Sequence, residues 1–396
     1  MLRLSESSWG QEEISAIQEC IVSDRFTMGP SVEKFESEFA LWNGSKYAVM
    51  VNSGSSANLL AAQVLGFQSE FEDGRGTVLV PALSWSTTYF PWVQSGYKLK
   101  FVDIDRGSYN VDLVDLESKI TSDCVGICIP HILGADAGIE KIMDIAVARG
   151  LWVVEDTCES LGGLVQSTSK NLKLGTLGDF GTYSFFRSHH ISTMEGGMLV
   201  TNNFDQYVLA KSMRAHGWAR NISPSSVLGN LESDGWKDQF QFYVPGFNLR
   251  PLEMSGAIGL EQIKKLDKFL KIRRSNADFF REKLKSISDI HLQEQGFGGS
   301  WMAFAFTLTG ELQESRDQLV SILESAGVET RPIVTGNFVN QPVMKRIASK
   351  VDVDHSYPNA EYVDKTGIMI ANHGRDLTPE ISLIASLLSN FSLGRK

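Results

Sequence analysis

A series of short apolar runs, each ending abruptly in polar or acidic residues, constrains this chain more than any other feature. Tyr47-Ala-Val-Met-Val51 passes into Asn52-Ser-Gly-Ser-Ser-Ala-Asn58, and Thr77-Val-Leu-Val-Pro81 into Ala82-Leu-Ser-Trp-Ser-Thr-Thr-Tyr89. Similar runs lie at 99–105, 123–130, 151–156 and 197–201. Runs this short and continuous read as strands buried on both faces, because a helix needs a longer stretch to bury one side. Helical patterns stand between them, which predicts an α/β architecture around a mostly parallel sheet covered on both faces. A chain of 396 residues outgrows one ordinary core. The expected division is a large domain over 1–265 and a smaller α/β domain over 266–396, with the opening segment packing on the smaller one.

Other elements follow from the same patterns. Helices are expected over 11–22, from Ser31 (whose hydroxyl would cap it), over 205–214, 314–326 and 379–388. A long helix should begin near Leu252, with Met254, Ile258, Ile263 and Leu266 on its apolar face. A strand is expected at 304–308, and the polar segment 219–242 reads as a surface loop. Hydrophobic content of 42% and charged content of 21% belong to a globular enzyme. A net charge of −10 argues against general affinity for nucleic acid or acidic membrane. No run reaches membrane-spanning length, and the four cysteines read as reduced thiols of a cytoplasmic protein. The histidines have no metal-ligand spacing, so no metal site is expected.

Several polar groups fall where strands end. Gly54, Ser55 and Ser56 form a small-residue turn at a helix start, where free N–H groups and the helix dipole favour an anion. Such turns cap helices more often than they cradle phosphate. Trp85 stands just past a strand; it can stack on a flat ring or simply be half-buried. Asp156 closes another strand on the same edge, placed to pair with a protonated ring nitrogen, and Glu159 can reach a ring oxygen or sit in a loop. In Arg25-Phe-Thr-Met-Gly-Pro30, Met28 can pack or face a substrate.

The stretch Ser184-Phe-Phe-Arg-Ser-His-His-Ile-Ser-Thr-Met-Glu-Gly-Gly-Met198 resembles the cofactor-attachment segment of the DegT/DnrJ/EryC1/StrS sugar aminotransferases. In that family a lysine stands five residues after the serine and six before the glutamate, and here that position is His189. Imidazole exchanges protons near neutral pH, but cannot form a lysine's covalent tether to pyridoxal phosphate. The neighbouring His190 does not meet the spacing, and Arg187 matches nothing in the family pattern. Further resemblance lies in Arg214-Ala-His-Gly-Trp218, Arg250-Pro-Leu-Glu-Met-Ser-Gly-Ala-Ile-Gly259 and Arg331-Pro-Ile-Val-Thr-Gly-Asn-Phe338, so that it spans nearly the whole chain.

The resemblance implies a fold-type-I pyridoxal-phosphate fold (a mixed, mostly parallel sheet of the seven-stranded type) and a homodimer with shared sites. It implies that pyridoxamine or pyridoxal 5'-phosphate binds noncovalently. Gly54, Ser55, Ser56 and Ser184 would hold its phosphate, with Asn248 reaching across from the second copy. Trp85 would cover the ring, Asp156 would face its nitrogen and Glu159 its hydroxyl. His189 would be the catalytic base, and Met28, His216, Arg250, Glu329 and Arg331 would line the sugar-nucleotide side. The reaction implied is removal of the C3 hydroxyl from a nucleotide-linked 4-keto-6-deoxy sugar, GDP-linked with the manno configuration, for the dideoxysugars of surface polysaccharide. L-Glutamate would regenerate the amine form of the cofactor. Some histidine members of the family carry an iron–sulfur cluster; the cysteine spacing here fits none, so no cluster is expected. Two other readings remain open: a nucleotide-sugar aminotransferase using Lys170, Lys173 or Lys211, and an inactive sugar-nucleotide-binding homologue.

Overall fold

The computed structural model describes residues 1–68, 75–165, 171–219, 236, 240–296, 298–354 and 356–394. The apolar runs form β1 (Tyr47–Val51), β2 (Thr77–Pro81), β3 (Lys98–Val102), β4 (Cys124–Pro130), β5 (Trp152–Asp156) and β7 (Gly197–Thr201), and the more polar Phe-Gly-Thr-Tyr-Ser forms a further strand, β6 (Phe180–Ser184). Later strands are β8 (Ile290–Leu292), β9 (Ala303–Leu308), β10 (Thr330–Arg331), β11 (Val351–Asp352) and β12 (Gly367–Ala371). The larger sheet has eight strands in the order β1-β7-β6-β5-β4-β2-β3-β11. Pairing through the middle is parallel, and only β7 runs antiparallel to both of its neighbours. The eighth strand was not visible in the apolar pattern. Val351–Asp352 is only two residues long, half-buried and exposed in turn, and joins the edge at β3. The smaller sheet, β10-β12-β9-β8, is antiparallel.

Helices cover the sheets: α1 (Gln11–Val22), α2 (Pro30–Asn43), α3 (Gly54–Gln68), α4 (Ser86–Gln94), α5 (Leu113–Ser118), α6 (Ile139–Arg149), α7 (Phe204–Arg214), α8 (Glu253–Leu284), α9 (Arg316–Ser325), α10 (Pro358–Thr366) and α11 (Thr378–Leu393). The start of α2 differs from the expected Ser31 cap. Its N-cap is Gly29 with Pro30 at the first position, and the Glu253 carboxylate accepts the N–H groups of Gly29 at 2.7 Å and Ser31 at 2.6 Å. A carboxylate from another helix thus satisfies the orphan donors at this helix start, which is also where the helix dipole favours an acidic group.

The helix α8 runs unbroken for 32 residues through the basic stretch around 264–274. Its Ile263, Leu266 and Leu270 share an apolar cluster with Phe35, Phe39 and Phe185 of the larger sheet's surroundings. Its Ala277, Phe280 and Leu284 belong to the cluster of the smaller sheet. Residues 2–10 tie the two regions again. Leu2 pairs with Val328 and is buried in the smaller cluster, Glu6 binds Arg375, and the Trp9 indole donates to the Ser192 carbonyl at 2.9 Å. The 219–242 segment lies largely outside the described residues. No helix among the described residues is long and apolar enough to cross a membrane.

Candidate active site

The carboxyl ends of β2, β4, β5 and β6 open on one cavity of about 310 Å³. This is where a parallel sheet exposes loops and helix N-termini together. Alternation along β5 divides two adjacent carboxylates. Glu155 turns away into a buried set of partners, accepting the N–H groups of Gly175, Leu177 and Gly178 and facing His131 Nε2 at 3.0 Å. Asp156 turns into the cavity. Its Oδ2 accepts from Asn58 Nδ2 at 2.9 Å and from the Thr88 hydroxyl at 2.8 Å, and its Oδ1 accepts the Cys158 N–H at 3.2 Å. These donors fix the carboxylate's direction. Spacing alone gives Asn58 and Thr88 no role; a carboxylate at the end of a buried strand is the signal that polar neighbours must orient it.

The start of α3 forms one wall. Gly54 lies so near β6 that an added Cβ would stand 2.6 Å from Ser184 Cβ and 2.8 Å from Cys158 Sγ. Only glycine lets the helix N-terminus approach this closely. Ser55 donates to the Thr87 hydroxyl at 2.9 Å, and Ser184 lies 8% exposed at the same end. Trp85 flanks them, 48% exposed, as the N-cap of α4. An anion-binding helix end, an aromatic face and an oriented carboxylate in one cavity fit a phosphorylated pyridine ring.

His189 also lines the cavity, from the turn after β6. Its Nδ1 is buried without a hydrogen-bond partner. Burial, and then the charge of Arg273, push its pKa down to about 4, so the ring is neutral at physiological pH. His190 is buried, its Nε2 lies 3.2 Å from the Ser300 carbonyl, and burial holds it far below the usual histidine range. It packs beneath the site and does not line the main cavity. Glu159 lines it, accepting the Leu133 N–H at 3.2 Å, and burial pushes its carboxyl up to about 7. Arg331 lines the same cavity and opposes that rise.

Thus Gly54, Ser55, Trp85, Asp156, Glu159, Ser184, His189 and Arg331 converge. The other expected residues lie elsewhere in this chain. Ser56 turns back on its own loop, donating to Asn52 Oδ1 at 2.6 Å. Met28 packs on the cluster between α2 and α8. Glu329 is exposed and accepts the Leu4 N–H at 2.8 Å, which holds the opening segment in place. Asn248, Arg250 and His216 form a separate group: Asn248 Oδ1 accepts from Arg250 Nε at 2.9 Å, and the His216 ring lies 4.9 Å from Trp218. No lysine lines the cavity among the described residues. Lys173 donates to the Trp42 carbonyl and Lys211 lies over the Tyr207 ring, while Lys170 is outside the described residues.

The DegT/DnrJ/EryC1/StrS aminotransferase family model matches residues 7–381. A GDP-4-keto-6-deoxy-D-mannose 3-dehydratase of Escherichia coli O55:H7 is 43% identical over 388 residues, 97% of this chain and 98% of that protein. The solved E. coli GDP-4-keto-6-deoxy-D-mannose-3-dehydratase with bound hydrated PLP superposes with a TM-score of 0.92 at 42% identity, covering 98% of this chain and 99% of that one. A GDP-4-keto-6-deoxymannose-3-dehydratase structure with a trapped PLP–glutamate geminal diamine gives a TM-score of 0.92 at 41% identity, covering 98% and 100%.

Proposed function

Because the chain belongs to the DegT/DnrJ/EryC1/StrS aminotransferase family, we propose that it is a pyridoxamine-phosphate-dependent 3-dehydratase of GDP-4-keto-6-deoxy-D-mannose. It removes the C3 hydroxyl to give the 4-keto-3,6-dideoxy sugar, and L-glutamate restores the amine form of the cofactor. The observation that carries this reading is His189, a neutral imidazole with an unbonded buried Nδ1, in a cavity that no described lysine lines. The close relatives' identity over nearly their full length supports the same substrate.

In this reading the α3 N-terminus, Ser55 and Ser184 hold the cofactor phosphate, Trp85 covers its ring and Asp156 keeps its ring nitrogen protonated. Bound there, the cofactor supplies a nitrogen for the sugar's C4 ketone and a ring that accepts an electron pair. His189 serves as the base, its ring free of a competing partner at Nδ1, and a placed imidazole of this kind contributes about 10²–10⁴-fold. Its protonated form then assists departure of the C3 hydroxide. Glu159 faces the ring hydroxyl, and Arg331 meets the anionic substrate. Met28, His216, Arg250 and Glu329 are assigned to the sugar-nucleotide side only through the family resemblance.

The reading includes a homodimer in which Asn248 reaches the second copy's phosphate site. In support, Asn248 is exposed, and exposed Phe240, Phe242 and Leu252 flank it in the chain. A division at 265/266 is supported by the separate apolar clusters at the two ends of α8. A cytoplasmic place and a role in surface-polysaccharide dideoxysugar synthesis complete the proposal. The test is incubation of purified protein with pyridoxamine phosphate, glutamate and GDP-4-keto-6-deoxymannose. Loss of one oxygen atom from the sugar, with 2-oxoglutarate formed, is the expected result. Amination at C4 without deoxygenation would overturn it.

A further inference from the structure

A second cavity of about 240 Å³ adjoins the first, and Ser188 and His189 line both. Arg273 lines it from α8 and is 4% exposed. Its Nη1 donates to the carbonyls of Trp301, Met302 and Asn372, while its Nε is buried without a partner. Burial is the sole influence on its charge, and no carboxylate among the described residues offsets it. His190, 1% exposed, contributes a second unpartnered buried nitrogen, Nδ1. Arg187 and Arg375 complete the charged lining against a single carboxylate, Glu6, which is already engaged by Arg375 at 2.8 Å. A buried guanidinium without an anion is costly, and a chain retains one where a ligand supplies the missing charge.

We propose that this second cavity receives the side-chain carboxylate of the amino donor L-glutamate, with Arg273 as its buried anchor and Arg187 at its rim. The inference rests on the donor assigned above and adds the residues that select it. The cavity opens at His189, so a donor whose reacting carbon lies beside that imidazole extends its carboxylate arm into the space behind. Guanidinium groups match a carboxylate through paired N–H donors, which neither glutamine nor alanine can satisfy.

The test is calorimetric binding of glutarate, an unreactive dicarboxylate, to the pyridoxal-phosphate-loaded protein. It is paired with the ratio of kcat/KM for glutamate to that for glutamine in the amination half-reaction. Arg187→Gln and Arg273→Gln should each weaken glutarate binding roughly tenfold to a hundredfold, the scale of a lost charge-assisted hydrogen bond. Both should lower the glutamate-to-glutamine ratio by a similar factor. Misfolding alone would depress both donors together, and Arg187, exposed at the rim, tests the cavity without disturbing the buried carbonyls around Arg273. Unchanged glutarate affinity and an unchanged ratio in both variants would overturn the assignment. Failure of the parent protein to use glutamate, with glutarate still bound through Arg273, would instead sink the donor reading and leave the carboxylate site standing.

Discussion

At the scale of single residues the site depends on keeping one imidazole neutral and one carboxyl protonatable. His189 carries a pKa near 4 because burial and the Arg273 charge both disfavour its protonated form. It therefore remains a base through neutral pH, and the pH–rate profile should show no break near 6.5 from this group. Replacing it with asparagine should slow deoxygenation by about 10²–10⁴-fold, followed as 2-oxoglutarate and deoxysugar formed, with the cofactor still bound. Glu159 shows the opposite sign. Its carboxyl, raised to about 7 by burial, binds its proton more tightly in the folded chain than in the unfolded one. That contribution is complete below the ordinary carboxylate range and is lost as pH rises through 7. Glu159→Gln should thus flatten the fall in the cofactor-free protein's Tm between pH 5 and 8. A Tm slope equal to the parent's would show that the raised carboxyl does not govern stability there.

At the scale of elements, the approach of α3 to β6 is the tightest constraint on the cavity. Gly54→Val forces a side chain into Ser184 and Cys158, and should cost about 1–3 kcal/mol in stability. It should also weaken pyridoxal phosphate binding more than tenfold in a spectroscopic titration, because the helix end is displaced from the phosphate. These elements were largely legible in the sequence. Continuous apolar runs such as Tyr47–Val51 and Thr77–Pro81 permit one reading, and both strands occupy those residues. Asp156 and His189 were legible for a related reason, since strand-end position and motif spacing are local. What escaped was non-local. The cap of α2 comes from Glu253, more than two hundred residues away, and β11 is too short to leave a pattern. Arg273 looked like one charge in a basic stretch of helix. Its burial follows from the Trp301, Met302 and Asn372 carbonyls that surround it, which no spacing rule could supply.

At the scale of the molecule, the opening segment contributes to both sheets' surroundings and to the second cavity, where Glu6, Ser7, Ser8 and Trp9 form part of the lining. Leu2→Ala removes a side chain that is 1% exposed and should cost about 2 kcal/mol. Its Tm should fall, and glutarate affinity should fall with it. Stability lost with affinity intact would mean the segment only covers the smaller sheet. The long helix α8 has a broader consequence. One rigid rod serves as flooring for the larger sheet's cluster and as roofing for the smaller one, while β11 clips the far edge. Between the two clusters α8 is continuous and offers no break to swing on. Reactants should be admitted by rearranging the rim around Phe186 and Trp85, and hydrogen exchange on adding nucleotide sugar should slow there while α8 keeps its pace.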